Sequence, residues 1–209
     1  MKWTELTPEA REKFLSGYTN EGFDGSDTIE YCKTDPDIRA QGFSIATINY
    51  SGFWSQGDGA CWTGRTHLSS YIKHHWKDAD TAVKREVMLA LLDNDDCTRS
   101  LSIHTRGHYY HSGTMYIDTT IETYFGTDTT IANKDSLFHN ALSQDILEAV
   151  GGETLLREIE NEVLDAARAL AYTIYKVLED DDEYRSSEEY IAEMAEANDW
   201  DFNEEGEMI

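Results

Sequence analysis

Proline occurs twice in this chain of 209 residues and cysteine three times, while seventeen lysines and arginines stand against forty-one aspartates and glutamates. Each scarcity removes a class of protein. Two prolines exclude a proline-stiffened linker. Cys32, Cys61 and Cys97 form no CxxC pair, so neither a disulfide framework nor a structural zinc site is expected, and the thiols read as free and buried. No apolar run approaches the roughly 20 residues that a bilayer-crossing helix needs. The opening MKWTELTPEAREKF is charged and helix-like and lacks the apolar core of a secretory signal. The protein is therefore expected to stay in the cytoplasm. With cations thinly spread, direct contact with nucleic acid or an anionic membrane is not expected.

Catalytic signatures are missing as well. There is no GxSxG elbow and no HExxH. Gly57-x-Gly59 lacks both the third glycine of a dinucleotide loop and the Lys-Ser/Thr of a phosphate loop. Serine, histidine and carboxylates are too plentiful for any catalytic pair to stand out. No catalytic residue is assigned and no cofactor is expected.

Apolar residues make up 40% of the chain and aromatics 11%, enough for a core, and the length fits one domain over residues 1–209. Thr7-Pro8-Glu9 starts a helix to about Ser16. Ser26 to Ala40 reads as helix in two pieces, the second opened by Pro36. Phe43 to Tyr50 alternates as a strand, and Ala60 to Thr66 reads as a second. His67 to Trp76 and Asp80 to Leu92 read as helices, the latter capped by Asp80. Ser100 to Tyr124, broken at His111-Ser112-Gly113, reads as a hairpin. Ser136 to Val150 reads as another helix. Leu156, Ile159, Val163, Ala167, Leu170, Ile174 and Val177 recur at helical spacing and predict a long helix over Glu153 to Glu179. Ser186-x-x-Glu189 has the form of a capping box for a last helix through Ala197. The expected fold is α+β: a small, mostly antiparallel sheet of three to four strands packed against helices, with a long C-terminal helix.

The formal charge is −24, and it is uneven. Between Leu178 and Ile209 stand fourteen carboxylates and one arginine, so residues 180–209 form an acidic C-terminal segment. Averaged over a folded surface of about 9,900 Å², the excess is about one charge per 400 Å². DNA carries about one per 110 Å². Only a concentrated stripe would imitate DNA, and acidic C-terminal blocks are more often solvated tails.

Two segments are rich in recognition chemistry. SGFWSQGDGACWTG, Ser51 to Gly64, sets Trp54 and Trp62 around Gln56 and Asp58. Flat apolar faces beside a few directional polar groups suit a binding loop. The competing reading is a bulged turn with its tryptophans packed on the core. IHTRGHYYHSGTM, Ile103 to Met115, brings His104, His108, Tyr109 and His111 close together. In a regular strand His104 and His108 face one side and His111 the other, unless Gly107 makes a bulge. Three histidines can hold zinc, but this spacing does not gather them on one face, so polar ends of aromatic strands are the reading adopted and no metal is assigned.

In order along the chain, ELTPEAREKFL, YSGFWSQGDGACWTG, RGHYYHSGTM and EYRSSEEYIAEMAEANDWDFNEEGEM resemble an uncharacterised family of phage and prophage accessory proteins. The resemblance implies a phage context, hence the host cytoplasm, and an antitoxin-like role. It supplies no catalytic residues. The leading expectation is an accessory or inhibitor protein that binds a host protein, a basic or nucleic-acid-binding one being favoured by the acidity. The alternatives are a small-ligand, nucleotide-like binder using the glycine and tryptophan loop, and a metal-dependent hydrolase using the histidines.

Overall fold

The computed structural model describes residues 1–18, 25–92, 98–125, 128–132 and 152–209. The helix expected over Ser136 to Val150, and Cys97, lie outside these residues. The chain packs as two compact units: Ile29–Tyr175, and the chain ends Met1–Thr28 with Lys176–Ile209. Among the described residues no helix is long and apolar enough to cross a membrane.

The larger unit is built on a five-stranded antiparallel sheet whose order follows the sequence: β1 (Phe43–Tyr50), β2 (Ala60–His67), β3 (Thr98–Thr105), β4 (Met115–Phe125) and the short β5 (Asp128–Ala132). The mixed α+β architecture and antiparallel sheet are as the sequence predicts, with β5 extending the sheet to a fifth strand. Helices α2 (Ser26–Thr34) and α3 (Pro36–Ala40) precede the sheet, and α4 (Leu68–His75) and α5 (Ala82–Leu92) lie between β2 and β3. Asp80 does not cap α5; it lies within a 3-10 turn, Ala79–Thr81, that runs into the helix.

Strand alternation divides the sheet into two faces. Phe43, Ile48, Trp62, Leu101, Ile103 and Met115 are buried on one. Ser44, Thr47, Arg65, His104 and Tyr116 are exposed on the other. That is the pattern of an antiparallel sheet covered on one side. The cover is the part of α6 (Gly152–Arg185) that belongs to this unit, up to Tyr175; α6 is the predicted long helix. Ile159, Val163, Ala167, Leu170, Ala171, Ile174 and Leu178 form its buried stripe; Val177, expected in the stripe, is 37% exposed and Leu178 takes its place. The wholly buried Ala167 and Ala171 let a bulky partner approach the helix closely. That partner is Trp62: its indole N–H donates to the Ala167 carbonyl at 3.0 Å, and its ring meets Phe43 edge-on at 5.5 Å. Trp76 repeats the device one helix away, donating to Glu162 at 2.7 Å.

The smaller unit joins α1 (Pro8–Gly17) to α7 (Glu188–Ala197) through an aromatic core. Trp3, Phe14 and Phe202 meet pairwise edge-to-face with centroids 5.4–5.6 Å apart, beside Leu6, Ala10, Ile191 and Ala195. The Met1 amino group donates to the Phe202 carbonyl and the Phe202 N–H to the Met1 carbonyl, both at 2.8 Å. The acidic end is thus an ordered element and not a solvated tail. Lys2 pairs with Asp199 and Asp201, Arg11 with Glu188, Lys13 with Glu205 and Glu207, and Arg185 with Asp181 and Asp27. Helix α7 is capped by Ser187, whose hydroxyl accepts from the Tyr190 N–H. The cap thus falls on Ser187 and not on Ser186 as expected, because α6 runs on through Arg185, and the box with Glu189 gives way to a single cap bond from Tyr190.

Trp62→Phe, which keeps the ring packing and loses the bond to Ala167, is expected to cost about 1 kcal/mol, and Trp62→Ala about 3–5 kcal/mol. Urea denaturation of the three proteins checks the order.

Candidate functional site

In an antiparallel meander the β1–β2 and β3–β4 connections emerge at the same end of the sheet. The two segments singled out in the sequence are these two connections, residues 51–59 and 106–114, and they touch. A Cβ on Gly59 would lie 2.9 Å from the His111 Cβ, 3.2 Å from its Cα and 3.3 Å from the Tyr110 carbonyl oxygen. Only glycine permits this approach, which presses one loop onto the other.

Each loop is shaped from within. In the first, the Ser51 N–H donates to the Gly59 carbonyl at 3.0 Å, and the Asp58 N–H to the Ser55 carbonyl at 3.1 Å. Asp58 Oδ2 accepts the Ser55 N–H at 2.6 Å. Phe53 stacks on Tyr50 at 5.6 Å and meets Tyr175 of α6 at 5.5 Å, whose hydroxyl donates to the Gly52 carbonyl. In the second, β3 stops at Thr105 because Gly107 turns the chain with φ +80°, a conformation no strand contains. His108, Tyr109 and His111 therefore lie on a loop, and the strand alternation expected for them does not apply. The Arg106 N–H donates to the Thr114 carbonyl at 3.1 Å, and Arg168 of α6 donates to the Met115 carbonyl at 3.1 Å. The long helix thus fixes the base of both loops.

The predicted residues separate clearly. Trp54 is 78% exposed, and Gln56 beside it is exposed. Asp58 is half-buried, with one carboxylate oxygen spent on its own turn. Trp62 is wholly buried; its assignment to a binding surface is corrected, because it faces α6 across the core. His104 is exposed on β3 and meets Tyr116 across the strands at 5.6 Å. His108 and Tyr109 are exposed, their rings 5.3 Å apart, and the half-buried His111 lies against Gly59. Tyr110 is also exposed, at 43%; its place in HYYH is the one sequence signal that points to it.

Among the described residues no group of three histidine, cysteine, aspartate or glutamate side chains is placed to hold a metal. Burial pushes the Cys61 thiol up, partly offset by a hydrogen bond with Thr114, which makes it a poor nucleophile. His67 Nδ1 and Ser100 Oγ lie 3.1 Å apart, a pair the sequence did not suggest, but Ser100 is wholly buried and no substrate carbonyl can reach it. Burial lowers the His67 pKa, with Arg65 adding to the effect, consistent with a neutral, structural imidazole.

Residues 29–188 match the model of a domain of unknown function, DUF8835, and the chain belongs to that family. No curated protein and no solved structure matches it.

Gly59→Ala is expected to force the two loops apart and to cost about 1–3 kcal/mol, the usual range for overpacking. Thermal denaturation gives the cost, and the amide shifts of residues 108–114 report the displacement.

Proposed function

We propose that this DUF8835 protein is a non-catalytic accessory or inhibitor protein that acts by binding a host protein through the paired loops. The observation that carries the reading is the meeting of the two loops at Gly59 and His111, on a sheet end that exposes Trp54, Tyr109 and Tyr110. Exposed tryptophan on a soluble domain is uncommon. Loops of Ser, Gly, Tyr and Trp on a rigid β scaffold have the composition of antibody paratopes, in which stiff aromatic rings give contact area at small entropic cost. Two loops braced by α6 are such a scaffold. The partner class is a proposal from the charge. The smaller unit carries twenty carboxylates against five cations, and all five cations are engaged in ion pairs within it. A folded piece of about 7 kDa exposes roughly 4,000 Å², giving about one excess charge per 270 Å². That remains more than twice as dilute as DNA, so the acidity suits steering toward a basic surface better than imitation of a nucleic acid.

The small-ligand alternative loses its second indole to the core. With Trp62 buried against α6 and Trp54 exposed, the two tryptophans form no slot for a nucleotide-like base.

Trp54→Ala and Tyr109→Ala test the reading. Each is expected to weaken capture of the partner from host lysate by at least about 30-fold, the effect of losing a hot-spot aromatic, with the melting temperature unchanged. Val83→Ala, at a 75% exposed position on α5, is expected to bind normally. Association should slow as salt is raised. Equal capture by wild type and both loop variants, or turnover of a substrate, contradicts the reading.

A further inference from the structure

The β3–β4 loop is closed by an imidazole used as a hydrogen-bond acceptor. The Gly113 N–H donates to His111 Nδ1 at 3.2 Å, capping the 3-10 turn Ser112–Thr114. The His111 carbonyl accepts both the Thr114 N–H at 2.9 Å and the Thr114 hydroxyl at 2.7 Å. Thr114 itself is buried and bonded to the Cys61 thiol and, through its carbonyl, to the Arg106 N–H. The cap therefore sits at the head of a chain of bonds that closes residues 106–114 onto β2. It works only while Nδ1 carries a lone pair. In the imidazolium both ring nitrogens are donors, and the Gly113 N–H would face another N–H. Histidine is the side chain whose charge ordinarily changes between about pH 5 and 8. The Cα and Cβ that carry the ring rest on Gly59, so the cap of the turn and the contact between the loops share one residue.

We propose that the paired-loop surface is proton-gated: neutral His111 holds the loop closed against Gly59, and protonation of Nδ1 releases residues 106–114 and with them the positions of Tyr109 and Tyr110. The proposal rests on reading this end as the recognition surface and adds its regulation. The surrounding titratable and charged groups are Asp58 on the first loop; Arg106, His108, Tyr109 and Tyr110 on the second; Cys61 on β2; His104, Tyr116 and Asp118 on β3 and β4; and Arg168 on α6. Asp58, the carboxylate next to Gly59, accepts the Ser55 N–H. Among the described residues no carboxylate forms an ion pair with His111 that would let an imidazolium stay in place. Among the described residues the neighbouring exposed His104 and His108 cap no turn.

Amide exchange of the full-length protein at pH 7.5 and 5.5, corrected for intrinsic rates, tests the gate without any partner. Wild type is expected to exchange at Gly113 and Thr114 about tenfold faster at the lower pH, the loss of one cap and the closure it supports. His111→Asn supplies a cap oxygen that does not titrate and should remove the difference, whereas His104→Gln and His108→Gln should retain it. In wild type, the Gly113 amide shift should follow the His111 ring through the same midpoint. This second readout stands if His111→Asn does not fold. Equal protection at both pH values, an undiminished response in His111→Asn, or a Gly113 shift with a different midpoint overturns the proposal. Partner capture that ignores Trp54 and Tyr109 would defeat the binding function and leave the gate intact.

Discussion

The contact of Trp62 with Ala167 organises the larger unit. An indole on the central part of β2 reaches a mid-helix carbonyl, which requires the helix to present small residues where the ring lands, and Ala167 and Ala171 do so. Once this contact forms, the long helix and the sheet have one register. The remaining bonds from α6, Arg168 to Met115 and Tyr175 to Gly52, then fall at the bases of the two connecting loops. A shift of one helical residue would turn the stripe by about 100° and lose all three at once. The rigidity of the loop end is therefore borrowed from a contact in the core.

Charge sets the second constraint. A unit with twenty carboxylates and five cations repels itself, and exposed ion pairs contribute at most about 1 kcal/mol each. What holds it is apolar: three rings packed edge-to-face, with Leu6, Ala10, Ile191 and Ala195 around them. The ion pairs set the register. Lys2 reaches Asp199 and Asp201, and Lys13 reaches Glu205 and Glu207, so each N-terminal lysine neutralises part of the C-terminal segment that covers the core. Hydrogen bonding and the charge of Lys2 hold the Asp199 carboxyl below its usual range, while Asn203 and then Lys13 do the same for Glu207. Both contributions are complete above the ordinary carboxylate range and fade as pH falls through the depressed values. The unit combines local attraction at its seam with net repulsion elsewhere, leaving a strong negative field outside a stable core.

The candidate surface was only half legible in the sequence. The segments around Trp54 and around His108 and Tyr109 stood out by composition, and each became a loop. Trp54 and Trp62, three positions after Ser51 and two after Ala60 respectively, look equivalent in a glycine-rich run. The strand begins between them, and alternation then points Trp62 at the helix. His111 looks like one of three similar histidines, yet its backbone lies on Gly59 and its ring caps Gly113, because Gly107 ends the strand before the register of His104 can extend to it.

By itself the sequence determined the periodic elements: the long helix from its apolar stripe, the early strands from alternation, the two recognition segments from their glycines and aromatics, and the acidity from simple counting. These are local properties, fixed by spacing along the chain. Only the tertiary structure decided which tryptophan is core and which is surface, that the two segments meet, and that the acidic end is ordered against Met1 and Phe202. Those outcomes depend on contacts between residues far apart in sequence, which no local pattern encodes. They are set by which surfaces can be buried together once the helix has found the sheet.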